Sequence, residues 1–175
     1  MYFETFRISY ATVQKRLEGG LIGLECTRVQ KYSPGAWVFG FESKASLSIS
    51  CPWRITADGH IRLGHEDHEQ KFGLPAPLDG RQKALKLLSG NIAKVAINEL
   101  PADLTLEFEG DVRLEIFNNS GGYEGWQFRG PDGLELIALG GGGLATVRVM
   151  DEAKRSRFIR RAKLGTVDHP RAAGA

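Results

Sequence analysis

Three histidines, His60, His65 and His68, fall close to Glu66, Asp67 and Glu69. Imidazoles and carboxylates are what zinc is held by, and three imidazoles would fill a catalytic zinc shell. The spacing matches no helical His-Glu-x-x-His arrangement. Glycines flank the segment, and no apolar stripe fixes its side chains, so a solvated polar loop outweighs a metal site. No metal or other cofactor is expected.

A second candidate is the glycine run of residues 140–143. Backbone amides in such a run can cup an anion. No Gly-Lys-Ser/Thr follows it, and a tight crossing at a strand end is the plainer reading. The third is Asn118-Asn-Ser-Gly-Gly-Tyr-Glu-Gly-Trp126, a polar, glycine-rich loop ending in two aromatics beside Glu124. Loops carry binding, and tyrosine offers large contact area at low entropic cost. Tyr123 and Glu124 are therefore candidate partner contacts, whereas Trp126 is expected in the core. Cys26 and Cys51 each fall on the apolar face of a strand pattern and read as small hydrophobes, not nucleophiles. No Ser/His/Asp or Cys/His constellation has spacing support.

The elements that must position these residues are mostly strands. Leu104, Leu106 and Phe108 alternate with Thr105 and Glu107; Val112, Leu114 and Ile116 alternate with Arg113 and Glu115. Period two on both sides of Gly110-Asp111 is a β-hairpin with one buried face and one wet face. Glu107, Glu109 and Glu115 then form, with Asp111, an acidic strip on the wet face, a further candidate surface for a basic partner. Upstream, Tyr10, Val13 and Leu17 share a helical face, with Ser9 as cap and Gly19 as the stop. Strand patterns follow at residues 21–30, 37–41, 47–53 and 55–63. Residues 64–79 are a polar loop containing two prolines. A second helix opens at Asp79, with Gln82 completing a variant capping box, and ends at Gly90. Strands are expected at residues 92–100, through the hairpin, at 126–128 and 134–139, and at 144–149.

The order of events repeats. Leu17, Gly19 and Leu21 answer Leu88, Gly90 and Ile92; Trp37, Phe39 and Phe41 answer Leu104, Leu106 and Phe108; Asp58-Gly59 answers Asp132-Gly133. The expected fold is α+β: two helix-plus-meander halves, near residues 9–63 and 79–139, packed by their apolar faces within one domain of residues 1–149. Neither half has enough apolar area to stand alone.

Composition agrees. The 175 residues are 42% hydrophobic and 25% charged, the balance of a globular protein. No apolar run reaches the roughly 20 residues of a membrane helix. No secretory pattern opens the chain, so cytoplasmic residence is the default expectation. Of 23 Lys/Arg and 21 Asp/Glu, eight and three fall from Arg148 onward, leaving 15 and 18 before it. A mildly acidic body thus carries a basic tail, residues 150–175, read as partly helical or disordered. Its arginines make nucleic acid a possible partner.

Residues 88–143 resemble a family of uncharacterised bacterial proteins. The likeness rests on Leu88 and Gly90 at a helix end, Asp103 to Phe108, Leu114 to Phe117, Tyr123 to Trp126 and the closing glycines. Members are small β-rich proteins, some of which resemble immunity proteins of toxin systems. The resemblance implies no catalytic residues.

The expected function is protein binding without catalysis, immunity-like or accessory, through Tyr123, Glu124 and the strip of Glu107, Glu109 and Glu115. The competing reading is a small-ligand or enzymatic site between the halves, drawing on Tyr123, Trp126, the glycine run or the histidine loop.

Overall fold

The computed structural model describes residues 2–32 and 35–150. Contacts gather Thr5–Val147 into one compact unit. The described residues outside it are the outer ends of the first and last strands. Residues 151–175 of the expected basic tail lie outside the described residues.

The elements are β1 (Tyr2–Arg7), α1 (Tyr10–Leu21), β2 (Cys26–Tyr32), β3 (Ala36–Phe41), β4 (Ser46–Ile49), β5 (Trp53–Ala57), β6 (His60–Gly64), α2 (Gly80–Leu87), β7 (Ile92–Ile97), β8 (Leu104–Phe108), β9 (Val112–Ile116), β10 (Trp126–Arg129), β11 (Glu135–Ala138) and β12 (Leu144–Met150). The fold is α+β, with two α-helices among the described residues and mostly antiparallel sheets, as the sequence indicates. No helix among the described residues is long and apolar enough to cross a membrane.

The sheets do not coincide with the two halves of the chain. One runs β1-β12-β11-β10-β4-β3-β2 and the other β6-β5-β9-β8-β7. Each half gives three successive strands to one sheet, then crosses to give two strands to the other. The helices cross as well: α1 packs against β7, and α2 against β2. The crossing explains why residues 47–53, an unbroken alternating run in sequence, become two strands. Pro52 has no N–H for a ladder, and the chain leaves one sheet at Ile49 and enters the other at Trp53.

Both sheets turn their apolar positions onto one shared core. Its centre is aromatic. Trp53 of β5 meets Trp37 and Phe39 of β3 edge-on, with ring centroids 4.9 and 5.3 Å apart, the arrangement aromatic quadrupoles favour. At the Asp58-Gly59 turn both residues take positive φ, 51° and 73°, as a two-residue hairpin loop requires.

The first helix runs past its expected stop. Gly19 and Gly20 are helical, and α1 ends after Leu21. Val13, Leu17 and Leu21, four residues apart, form one fully buried stripe, and burying the last of them outweighs the glycines' poor propensity. Gly23, at φ 83°, takes the left-handed position instead. The two helical glycines differ in surroundings. A Cβ on Gly19 would meet nothing within 4 Å, whereas one on Gly20 would come within 2.8 Å of the Phe128 ring. Phe128 is fully buried, so its ring can shift only by disturbing the core around it. We therefore expect Gly19→Ala to stabilise the protein by about 0.5–1 kcal/mol. Gly20→Ala is expected to destabilise it, because overpacking a core costs ~1–3 kcal/mol. Denaturant unfolding of the two variants checks both signs.

Candidate functional site

The three histidines do not converge. His60 Nδ1 lies 2.7 Å from the carbonyl of Asp58 within its own hairpin. His68 is buried, and its Nδ1 accepts the Gly80 N–H at 3.1 Å. Its ring stands edge-on to Trp37 at 5.6 Å. As an acceptor at Nδ1, the neutral ring carries its proton on Nε2. His68 thus ties the 64–79 loop to the start of α2. Asp79 caps that helix, accepting from the N–H groups of Arg81 at 3.0 Å and Gln82 at 3.4 Å. Two hydrogen bonds from the Arg81 guanidinium, aided by those helix amides, hold the Asp79 carboxyl below its usual range. Among the described residues no group of three or more His, Cys, Asp or Glu side chains is arranged to hold a metal ion.

The glycine run forms a tight crossing. A Cβ on Gly140 would lie 2.5–2.6 Å from the backbone of Gly122. The amides of Gly141 and Gly142 are already bonded, to the carbonyls of Ser120 and Leu139. Residues 140–143 therefore wedge against the 118–125 loop, with these two amides turned to the protein.

That loop is held at its base and centre. Asn118 is buried. Its amide group donates to the carbonyls of Pro101 and Leu139 at 2.9 and 3.1 Å, and its backbone N–H donates to Asp103. Its Oδ1 has no partner among the described residues. Ser120 Oγ accepts the N–H groups of Gly122 and Tyr123 at 3.2 and 2.9 Å. Gly125 closes the loop, donating to Ala138 and accepting from Ser50. Trp126, by contrast, is in the core, with its indole N–H on the carbonyl of Ala102 at 2.9 Å.

Tyr123 projects from this loop with 83% of its surface exposed. Beside it lies an open cleft of about 740 Å³. Ala36, Ser50 and Cys51 line it together with Ser120, Tyr123 and Glu124. Tyr123 and Glu124 are thus brought together, and the cleft draws on both halves of the chain.

Glu107 and Glu115 lie elsewhere, on the five-stranded sheet, with Glu109 just past the end of β8, and the first two are paired with cations. Arg54 of β5 is opposite Glu115 in register and binds it at 2.7 and 3.4 Å. Lys94 of β7 is opposite Glu107 and reaches it at 3.3 Å. Glu109 accepts the Asn91 N–H at 3.4 Å. Asp111 lies 3.6 Å from Arg113. The strip looked acidic because hairpin periodicity reveals neighbours along a strand, not those across β5 and β7. The roles of Asn118 and Arg54 are hidden for the same reason: their partners are distant in sequence. Only the Asn-Asn-Ser-Gly composition hinted at a hydrogen-bonded turn.

Burial pushes the Cys51 thiol up to about 12 and that of Cys26 up to about 11. Neither is a thiolate near neutrality, as expected for packing residues. We expect both to resist iodoacetamide at pH 7.5 in the native state and to react after unfolding, by mass spectrometry. An unfolded thiol loses its proton near 9.0. Above that pH the unfolded state binds fewer protons than the folded one, so these thiols lower stability as pH rises beyond about 9. Unfolding midpoints between pH 8 and 10, compared with a Cys26→Ala/Cys51→Ala double variant, test this.

The family of unknown function DUF6188 matches residues 21–148, and the chain belongs to that family. No curated protein and no solved structure matches it.

Proposed function

We propose that this member of the DUF6188 family works by binding another protein, without catalysis, through the Tyr123–Glu124 loop and the cleft beside it. The observation that carries the reading is the state of Tyr123. A large aromatic side chain is held almost wholly in solvent by a loop whose backbone is fixed by Ser120, Asn118 and the glycine crossing. Fixing the loop beforehand lowers the entropy lost on binding, and exposed tyrosines are preferred anchors of protein interfaces. Small-ligand sites are lined by converging polar and apolar side chains; here the largest side chain points outward. Glu107, Glu109 and Glu115 contribute less in this reading, since their neighbours already engage them.

The cleft's use of both halves favours a second reading, a small-ligand site in the same place. The two separate experimentally. Full-length protein, residues 1–149 and Tyr123→Ala are each used to capture partners from a lysate of the source organism. The captured protein is then titrated by calorimetry. We expect one stoichiometric partner, kept by residues 1–149, and weakened by Tyr123→Ala by about 2 kcal/mol, roughly thirtyfold, with an unchanged unfolding midpoint. Unchanged affinity in Tyr123→Ala, or no protein partner, would overturn the reading. Capture of nucleic acid alone, lost on truncation and at raised salt, would assign function to the basic tail.

A further inference from the structure

The two halves place a helix beside an edge strand in the same way but finish the two edges differently. β7 is the outer strand of the five-stranded sheet, and β2 is the outer strand of the other. Their registers correspond. Each carries a bulge at its start, between Cys26 and Arg28 and between Ile92 and Lys94. Val29 faces Phe39 as Val95 faces Leu106. On β7 the edge is closed. Gln14 of α1 donates to the Val95 carbonyl at 2.7 Å and accepts the Ile97 N–H at 3.0 Å, so one side chain does the work of a neighbouring strand.

On β2 the corresponding groups are the Val29 carbonyl and the Lys31 N–H. Gly35 N–H donates to Tyr32, and Phe41 N–H donates to Ala45. These bonds fix the alternation: Arg28, Gln30 and Tyr32 bond toward β3, while Val29 and Lys31 direct their backbone groups outward. Neither has a partner among the described residues. The buried stripes align Val13 and Leu17 of α1 with Ala84 of α2 and Leu88 at its C-cap, which puts Leu85 where α1 has Gln14. Leucine cannot bond the edge. An open groove of about 410 Å³ remains there between β2 and α2.

We propose that this groove takes an extended, acidic segment of another polypeptide, which adds to the sheet as a strand beyond β2. Unpaired strand edges are templates for such addition. The sign of the segment follows from the lining. Asp79 and Arg81 pair with each other, which leaves Arg28 and Lys31 as the uncompensated charges of the lining. The chain's own residues 151–175 carry seven Lys/Arg against three acidic residues, the wrong sign for this groove. The Tyr123 loop plays no part, so the two proposals stand or fall separately.

The probe is a fluorescein-labelled decapeptide of alternating Thr and Glu, with a Thr/Lys peptide as control, followed by anisotropy with the full chain. Lys31→Gln and Lys31→Pro both remove the charge, but only the proline removes the outward N–H, and it spares the β2–β3 ladder. We expect the acidic peptide to bind, and Lys31→Pro to bind about tenfold more weakly than Lys31→Gln, the effect of one lost hydrogen bond. Leu85→Gln, which copies Gln14, should weaken binding by a similar factor. Circular dichroism confirms that each variant folds, and slowed exchange of the Lys31 amide on adding peptide reads the edge directly. Four results would overturn the proposal: no binding at about 1 mM peptide, equal binding of the Thr/Lys peptide, equal affinities of Lys31→Pro and Lys31→Gln, or self-association through β2 in place of peptide binding.

Discussion

Strand β4 lies beside β10 in one sheet, and β5 lies beside β9 in the other. Both pairings join residues far apart in sequence, and both sit where the chain changes sheets. Two backbone bonds stitch the crossovers together: Ser50 N–H to Gly125, and Phe117 N–H to Pro52. Break the first pairing and the seven-stranded sheet divides between β10 and β4; break the second and the five-stranded sheet divides between β5 and β9. The core then opens, because Trp37 and Phe39 come from one sheet and Trp53 from the other. Exchange of strands and helices thus makes the unit Thr5–Val147 cooperative. It also means that closing long loops precedes much of the reward, as in other folds built on non-local pairing.

How much of this is legible in sequence depends on the range of the interaction. Short-range signals read well. Leu104 to Ile116 is a hairpin with its apolar side buried. Ser9 and Asp79 cap their helices, and Trp126 sits in the core. Signals that need a third element read badly. Nothing local tells Leu47 and Ile49 to face one sheet and Trp53 and Ile55 the other. Nothing at Gly20 announces the Phe128 ring above it. Nothing local announces the strand Tyr2–Arg7, which pairs with β12 at the far end of the described residues.

The candidate site divides along the same line. Composition points to the 118–126 loop and its exposed Tyr123. Its stiffness comes from Leu139, Pro101, Asp103 and Gly140, which no local pattern ties to it. The acidic strip shows the converse. Its carboxylates are visible in sequence, while Arg54 and Lys94, which engage them, become neighbours only once β5 and β7 flank the hairpin.

The halves agree most where the shared core constrains them and differ most where it does not. Bulges, inward residues and even the carboxylates that bond the bulged strands correspond: Glu42 accepts the Glu25 N–H as Glu109 accepts that of Asn91. The crossovers do not. Residues 50–52 make one directly, whereas residues 117–125 make the other with a loop that carries Tyr123 into solvent. The helix-flanked edges do not correspond either, since Gln14 seals one and Leu85 leaves the other open. A strand edge left unpaired invites aggregation, and folds usually blunt it with charge. Lys31 and Arg28 supply that charge on β2, which discourages a second copy of the same edge. The same charges favour a segment of opposite sign, so the device that keeps β2 from pairing with itself also sets what it can accept.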